Sequence, residues 1–182
     1  MKKLGPVPVI LMLLVFLFGC SSFPEPEGED DTAFVLPIKK IRSAEGGSTF
    51  AYFRVYITRR DDKSFRKWMN IYAGSGNVLV VGMEPGEYSL SSLEARYKEN
   101  DEIANRWDLG IPFVLEPGAI TICPATMVII VERKDPDSRY IYMGWDIQDT
   151  SGPIREKVLE ELRGYESFPK WRVLDSREAL GG

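Results

Sequence analysis

Residues Phe50–Arg59 alternate strictly. Phe53, Val55 and Ile57 fall on one side of an extended chain, and Tyr52, Arg54 and Tyr56 on the other. Because side chains of a strand point to opposite faces in turn, this pattern demands a β-strand with one apolar face. A polar turn at Arg59–Lys63 leads into Arg66–Ala73, where Trp68, Asn70 and Tyr72 oppose Met69 and Ile71. Gly74-Ser75-Gly76-Asn77 is turn chemistry. Val78–Val81 is continuously apolar, as a central strand buried on both faces would be. Phe34–Arg42, Tyr88–Tyr97, Asp108–Leu115, Ala119–Val131 and Arg139–Ile147 are further strand-like runs, the last following a turn at Asp135-Pro136-Asp137. Pro85-Gly86 and Pro117-Gly118 sit between such runs, and both read as type II turns, with proline presetting the first central position and glycine taking the positive φ of the second. Short strands with turns every 8–14 residues or so predict a mainly β domain, an antiparallel β-sandwich over residues 34–182.

The tail changes period. Ile154, Val158 and Leu162 recur every four residues, with Leu159 beside them. Thr150 or Ser151 can cap, and Pro153 suits a first helical turn, so a helix is predicted over 153–163, ended by Gly164. Tyr165, Phe168 and Trp171 are expected to pack back onto the sheets.

The first nineteen residues are of another kind. Lys2 and Lys3 precede an apolar run from Val7 to Phe18, interrupted only by Pro8. A membrane-spanning helix needs about 20 apolar residues, so the run is too short to cross, and it has the layout of a secretory signal. Leu17-Phe18-Gly19-Cys20 closes it. That tetrad resembles the lipobox of bacterial lipoproteins, although Phe18 is bulkier than is usual there. The resemblance implies cleavage between Gly19 and Cys20, and a thioether-linked diacylglycerol on Cys20. It also implies tethering to the exported side of the cell membrane, or to the outer membrane in a Gram-negative host. Residues 20–33 then form the lipidated cysteine and an acidic tether, whose stretch SSFPEPEGEDDTA has acids and prolines but no base.

A second resemblance rests on Val78 to Leu90. The strand–Pro-Gly-x-Tyr–strand unit, with Pro85, Gly86 and Tyr88, resembles transthyretin-like (prealbumin-like) domains of bacterial envelope proteins. Pro117-Gly118 before a β run and the tail Gly164-Tyr165-Glu166-Ser167-Phe168-Pro169 look similar. The likeness spans roughly residues 50–170. It implies a fold and a location, with structural roles for the turn residues Pro85, Gly86, Pro117 and Gly118 and no shared catalytic set.

Composition narrows the chemistry. The chain has no histidine, which removes Ser-His-Asp and Cys-His catalysis and histidine metal sites. With Cys20 lipidated, Cys123 has no partner, sits among apolar and small residues, and is expected to be a buried small hydrophobe. Loss of Lys2 and Lys3 with the signal takes the net charge from −4 to −6, which argues against nucleic acid as a partner. No cofactor or metal is expected beyond the covalent lipid. Two patches are candidates for binding. Arg59, Arg60, Lys63, Arg66 and Lys67, around Asp61 and Asp62, would suit an anionic headgroup or acidic glycan, or are a charged hairpin tip. Tyr52, Tyr56, Trp68 and Tyr72 share a face if their strands pair in register; that face is either a binding surface or a second core. Glu94, Glu99, Asp101 and Glu102, and Asp146 and Asp149, are the carboxylates a hydrolase would draw on, but they are expected to be solvated acidic loops. The expected role is a non-enzymatic binding or accessory module for an envelope protein or glycan. A carboxylate-dependent glycan hydrolase and a structural subunit of an envelope assembly are the alternatives.

Overall fold

The computed structural model describes residues 24–26, 28, 31–42, 51–133 and 142–175. The expected signal segment, Gly19 and Cys20, most of the tether and the turn at 135–137 lie outside the described residues. Among the described residues the fold is mainly β with one α-helix, and the strand pairings are mostly antiparallel.

One layer is a four-stranded antiparallel sheet made of two hairpins. It consists of β3 (Ala51–Arg59), β4 (Arg66–Ile71), β6 (Gly86–Tyr97) and β7 (Ile103–Leu115), in the order β4-β3-β6-β7 and antiparallel throughout. Facing it are two sheets joined end to end. The first, in the order β11-β8-β1-β5, holds β1 (Thr32–Leu36), β5 (Val78–Val81), β8 (Ala119–Ile122) and β11 (Arg172–Asp175). The second, in the order β10-β9-β2, holds β2 (Ile38–Arg42), β9 (Ala125–Glu132) and β10 (Tyr142–Asp149). Each of the two runs expected as single strands, 34–42 and 119–131, breaks at a proline, Pro37 or Pro124, because proline cannot donate to the ladder. Cys123 N–H to the Val35 carbonyl (2.8 Å) and Met127 N–H to the Pro37 carbonyl (3.0 Å) carry the pairing across both breaks.

Pairing departs from the purely antiparallel expectation in three places: β1/β8, β2/β9 and β8/β11 are parallel. In each pair the chain returns by a long excursion instead of a hairpin, and a long connection permits the parallel sense. The domain also begins earlier than residue 34, since Thr32 and Ala33 belong to β1 and are fully buried.

The main core lies between the layers. Phe53, Val55 and Ile57 of β3, Leu90 and Leu93 of β6 and Phe113 of β7 meet Phe34 and Leu36 of β1 and Met127 and Ile129 of β9. Phe34 stacks on Phe113 at 4.2 Å, and Tyr88 stacks on the same ring at 5.7 Å. Cys123 is buried in this core, and burial pushes its thiol up to about 12. A second cluster fills the outer face of the β11-β8-β1-β5 sheet. Here Ala33, Val35, Ile120 and Ile122 are covered by Val158, Leu159 and Leu162 of helix α1 (Gly152–Arg163) and by Trp171. The strands apolar on both faces are therefore β1 and β8. The continuously apolar Val78–Val81 is an edge strand, correcting the central position expected for it; Leu79 and Val81 are exposed at the rim.

Local chemistry differs from expectation at the helix N-terminus and at the start of β6, and agrees with it at Pro117-Gly118. Ser151 occupies the helix N-cap without a side-chain cap bond. Thr150 turns inward instead, its hydroxyl donating to the Cys123 carbonyl (2.8 Å) and lying 2.9 Å from that of Thr126. Gly118 has φ +65° and Ala119 N–H reaches the Glu116 carbonyl at 3.2 Å, as a type II turn requires. Gly86, at φ +152°, is not the second central residue of such a turn but the first residue of β6. A Cβ there would lie 3.3 Å from Arg59 Nε, so the guanidinium occupies the space a side chain would need.

Candidate binding face

The outer face of the β4-β3-β6-β7 sheet has no helix over it among the described residues. Register decides what it carries. Tyr56 pairs with Trp68 and Ser92, Arg54 with Asn70 and Glu94, and Tyr52 with Arg96, while Glu94 pairs onward with Arg106. With Phe53, Val55 and Ile57 committed to the core, all these side chains stand outward.

Glu94 sits at the centre, only 1% exposed. Its Oε2 accepts from Arg96 Nε and from the Tyr56 hydroxyl, both at 2.8 Å. Its Oε1 faces Arg106 Nη1 at 3.6 Å and Arg66 Nη2 at 3.9 Å. Burial pushes the carboxyl pKa up, but the hydrogen bonds from Arg96 and Tyr56 and the charges of Arg96 and Arg106 outweigh it, and the net shift is downward. Arg96 is raised in return, chiefly by its hydrogen bond to Glu94.

A second node lies at the turn between β6 and β7. Asp101 adopts φ +58°, a left-handed conformation that aspartate tolerates better than most residues. Its carboxylate accepts from the Tyr52 hydroxyl and pairs with Arg54 (3.2 Å) and Arg96 (2.8 Å). The hydrogen bond from Tyr52, followed by that from Arg96 and the charges of Arg54 and Arg96, holds its pKa below the usual carboxylate value. Arg54 also donates to Asn70 Oδ1 at 2.9 Å.

Aromatic rings frame both nodes. Arg66 lies over the Tyr56 ring, its Cζ 3.8 Å from the centroid, and Arg54 lies between Tyr52 (5.5 Å) and Trp68 (5.8 Å). Tyr52 and Tyr56 are thereby buried beneath arginines. Trp68 and Tyr72 remain 56% and 46% exposed. The result is a face with a hydrogen-bonded charged floor and exposed rings along one edge.

The predicted site residues divide. Arg66, Tyr52 and Tyr56 come together on this face with Trp68 and Tyr72. Arg59, Arg60 and Lys63 do not join them. Arg59 is engaged with Asp61 (2.8 Å), with Glu84 and with the Tyr88 ring, bracing the Pro85-Gly86 segment. Arg60 pairs with Glu87 at 2.6 Å on the exposed surface, and Lys63 is exposed in the β3–β4 turn. Sequence reasoning missed Arg96 and Arg106 as members of the face. The alternation on β6 and β7 places them there once the strands are paired.

Of the candidate carboxylates, Glu94 and Asp101 come together, bridged by Arg96. The pKa of each is lowered by its hydrogen bonds and neighbouring arginines, whereas a glycosidase's general acid has its pKa raised. Glu99 and Glu102 are exposed in the β6–β7 turn, and Asp146 and Asp149 are on β10 in the opposite layer. Among the described residues no group of three acids or cysteines could hold a metal ion, and no helix is long and apolar enough to cross a membrane. No protein-family model matches the chain, and no curated protein is significantly similar to it.

Proposed function

We propose that this chain is an exported lipoprotein whose single domain, a transthyretin-like β-sandwich, is a non-enzymatic binding or accessory module for a protein or glycan of the cell envelope. Its docking surface is the outer face of the β4-β3-β6-β7 sheet. One observation carries the reading: Trp68 and Tyr72 stand exposed on a sheet face whose polar groups are already locked by Glu94 and Asp101. A face built only for stability would cover its apolar groups, as the β11-β8-β1-β5 sheet does beneath α1. The two-layer arrangement and the Pro85-Gly86-x-Tyr88 unit linking β5 to β6 across the layers support the sandwich reading.

The anchor reading rests on the tetrad ending in Cys20. Near it, the Trp171 indole N–H donates to the Pro24 carbonyl (3.1 Å) and Lys170 pairs with Glu25 (2.5 Å). The chain is thus seated on the domain from Pro24, and only residues 21–23 separate that seat from the lipidated cysteine. Three or four extended residues span at most about 14 Å, so the domain stands close to the bilayer.

Two measurements test the reading. Labelled palmitate should enter the wild-type chain and not Cys20→Ala, which should stay an uncleaved or mislocalised precursor; lipidation of that variant would end the lipoprotein reading. A photo-crosslinking residue at position 68 should capture an envelope component in cells, while one at exposed position 156 on α1 should not. Equal capture from both positions, or none from 68, would remove the face as the docking surface.

A further inference from the structure

We infer that the ligand of this face is an acidic glycan, a linear saccharide bearing carboxylate or phosphate groups. The inference rests on the docking role proposed above and names the chemistry that role requires.

The first argument is charge. Four guanidiniums, Arg54, Arg66, Arg96 and Arg106, share the face with three carboxylates: Glu94, Asp101 and the exposed Asp108 opposite Ser92. Arg54 and Arg96 are mostly buried and satisfied by Asn70, Asp101 and Glu94. The positive groups the face presents over its strands are therefore Arg66 and Arg106, whose side chains are about half exposed, while the exposed Glu99 and Glu102 lie off at its β6–β7 end. Both approach the same oxygen, Glu94 Oε1, at distances longer than a hydrogen bond. Two guanidiniums straddling one oxygen, with donor capacity left over, can together clasp one external carboxylate or phosphate. Arginine is the side chain suited to such oxyanions, because its planar fork matches their geometry. Arg66 is pre-aimed by the Tyr56 ring beneath it, so little side-chain freedom is lost on binding.

The second argument is shape. Arg66, Trp68, Asn70 and Tyr72 are alternate residues along one edge, all on the outer side, with Tyr72 resting against Tyr52 at 5.3 Å. Residues two apart on a strand are separated by about 6.7 Å, so these groups are spaced out along the edge. The edge thus offers one guanidinium of the clasp, an exposed indole, an amide and an exposed phenol, with the clasp itself lying inward across the sheet toward Glu94. A pyranose presents a face of C–H groups to a flat ring and hydroxyls at its rim. An extended acidic saccharide would match this order. A lone phosphate would use the clasp and leave the rings unused.

The test uses the full lipidated chain in detergent, with three probes of equal length: a hexauronate, a neutral hexaglucan and a hexaglutamate peptide. Hexauronate should bind, change Trp68 fluorescence, and weaken as salt rises. Arg66→Gln combined with Arg106→Gln should weaken it at least tenfold, and Trp68→Ala likewise. All these residues are at least half exposed or close to it, and unchanged thermal melting would verify that the variants fold. Absence of hexauronate binding, or neutral hexaglucan binding equally well, would overturn the inference. Equal binding of hexaglutamate would also overturn it and make the partner an acidic protein segment. If hexauronate fails while position 68 still cross-links in cells, the docking reading stands and only the ligand class is wrong. If both fail, the face is not a docking surface.

Discussion

The two outer faces of this molecule are closed by opposite means. On the β11-β8-β1-β5 sheet, Ala33, Val35, Ile120 and Ile122 are roofed by an amphipathic helix and Trp171. On the β4-β3-β6-β7 sheet, Glu94 and Asp101 tie arginines down over tyrosines and leave Trp68 and Tyr72 in solvent. Apolar closure is driven by area removed from water and demands an element on top. Ionic closure needs no covering element, so the same layer can be rigid and accessible together. A binding face requires that combination.

The sharpest way to break the comparison is to weaken the apolar roof. Ile120→Ala removes a fully buried side chain between sheet and helix and should cost about 3–4 kcal/mol in denaturant unfolding. A cost near zero would mean that α1 is a loosely attached cover. Next in size is Glu94→Gln. It leaves Arg66, Arg96 and Arg106 without their central anion, and should cost about 2–3 kcal/mol, less than a wholly buried pair because two of the arginines reach water.

The same variant has a pH signature. The folded pKa of Glu94 is depressed, so its contribution is fully present above its ordinary value of 4.5. That contribution is lost as pH falls below 4.5 and through the lower folded value. Wild type should therefore lose stability steeply on the acid side, and Glu94→Gln should show a flatter acid limb. Parallel curves would mean that Glu94 does not hold the face together. Smallest of all should be Trp68→Ala, within about 0.5 kcal/mol of wild type in stability, since an exposed ring supports little. A large loss of stability would show Trp68 to be structural and would undercut the face as a site.

Much of this was legible residue by residue. Tyr52, Tyr56, Trp68 and Tyr72 were assignable to one face from alternation alone, provided β3 and β4 paired in register, and they do. Whether that face was core or surface was not legible. The rings on it are as apolar as those inside, and the answer depended on which layer α1 covered. The basic cluster at 59–67 was visible as a run, yet Arg59 and Arg60 engage the β5–β6 and β6 acids while Arg66 joins the opposite group. Neighbours in sequence need not share a surface.

The sequence by itself determined the extended alternation of β3, the apolar stripe Val158–Leu159–Leu162 of α1, and the turn at Pro117-Gly118. Each is a short-range matter of side-chain period or backbone stereochemistry. Only the tertiary structure decided that β1 and β8 are central and Val78–Val81 an edge, that three pairs run parallel, and that Arg66, Arg96 and Arg106 converge on Glu94. An apolar run states how many of its faces avoid water. Which strand lies beside it is set by contacts between residues far apart in the chain, and those contacts place four charges around one another.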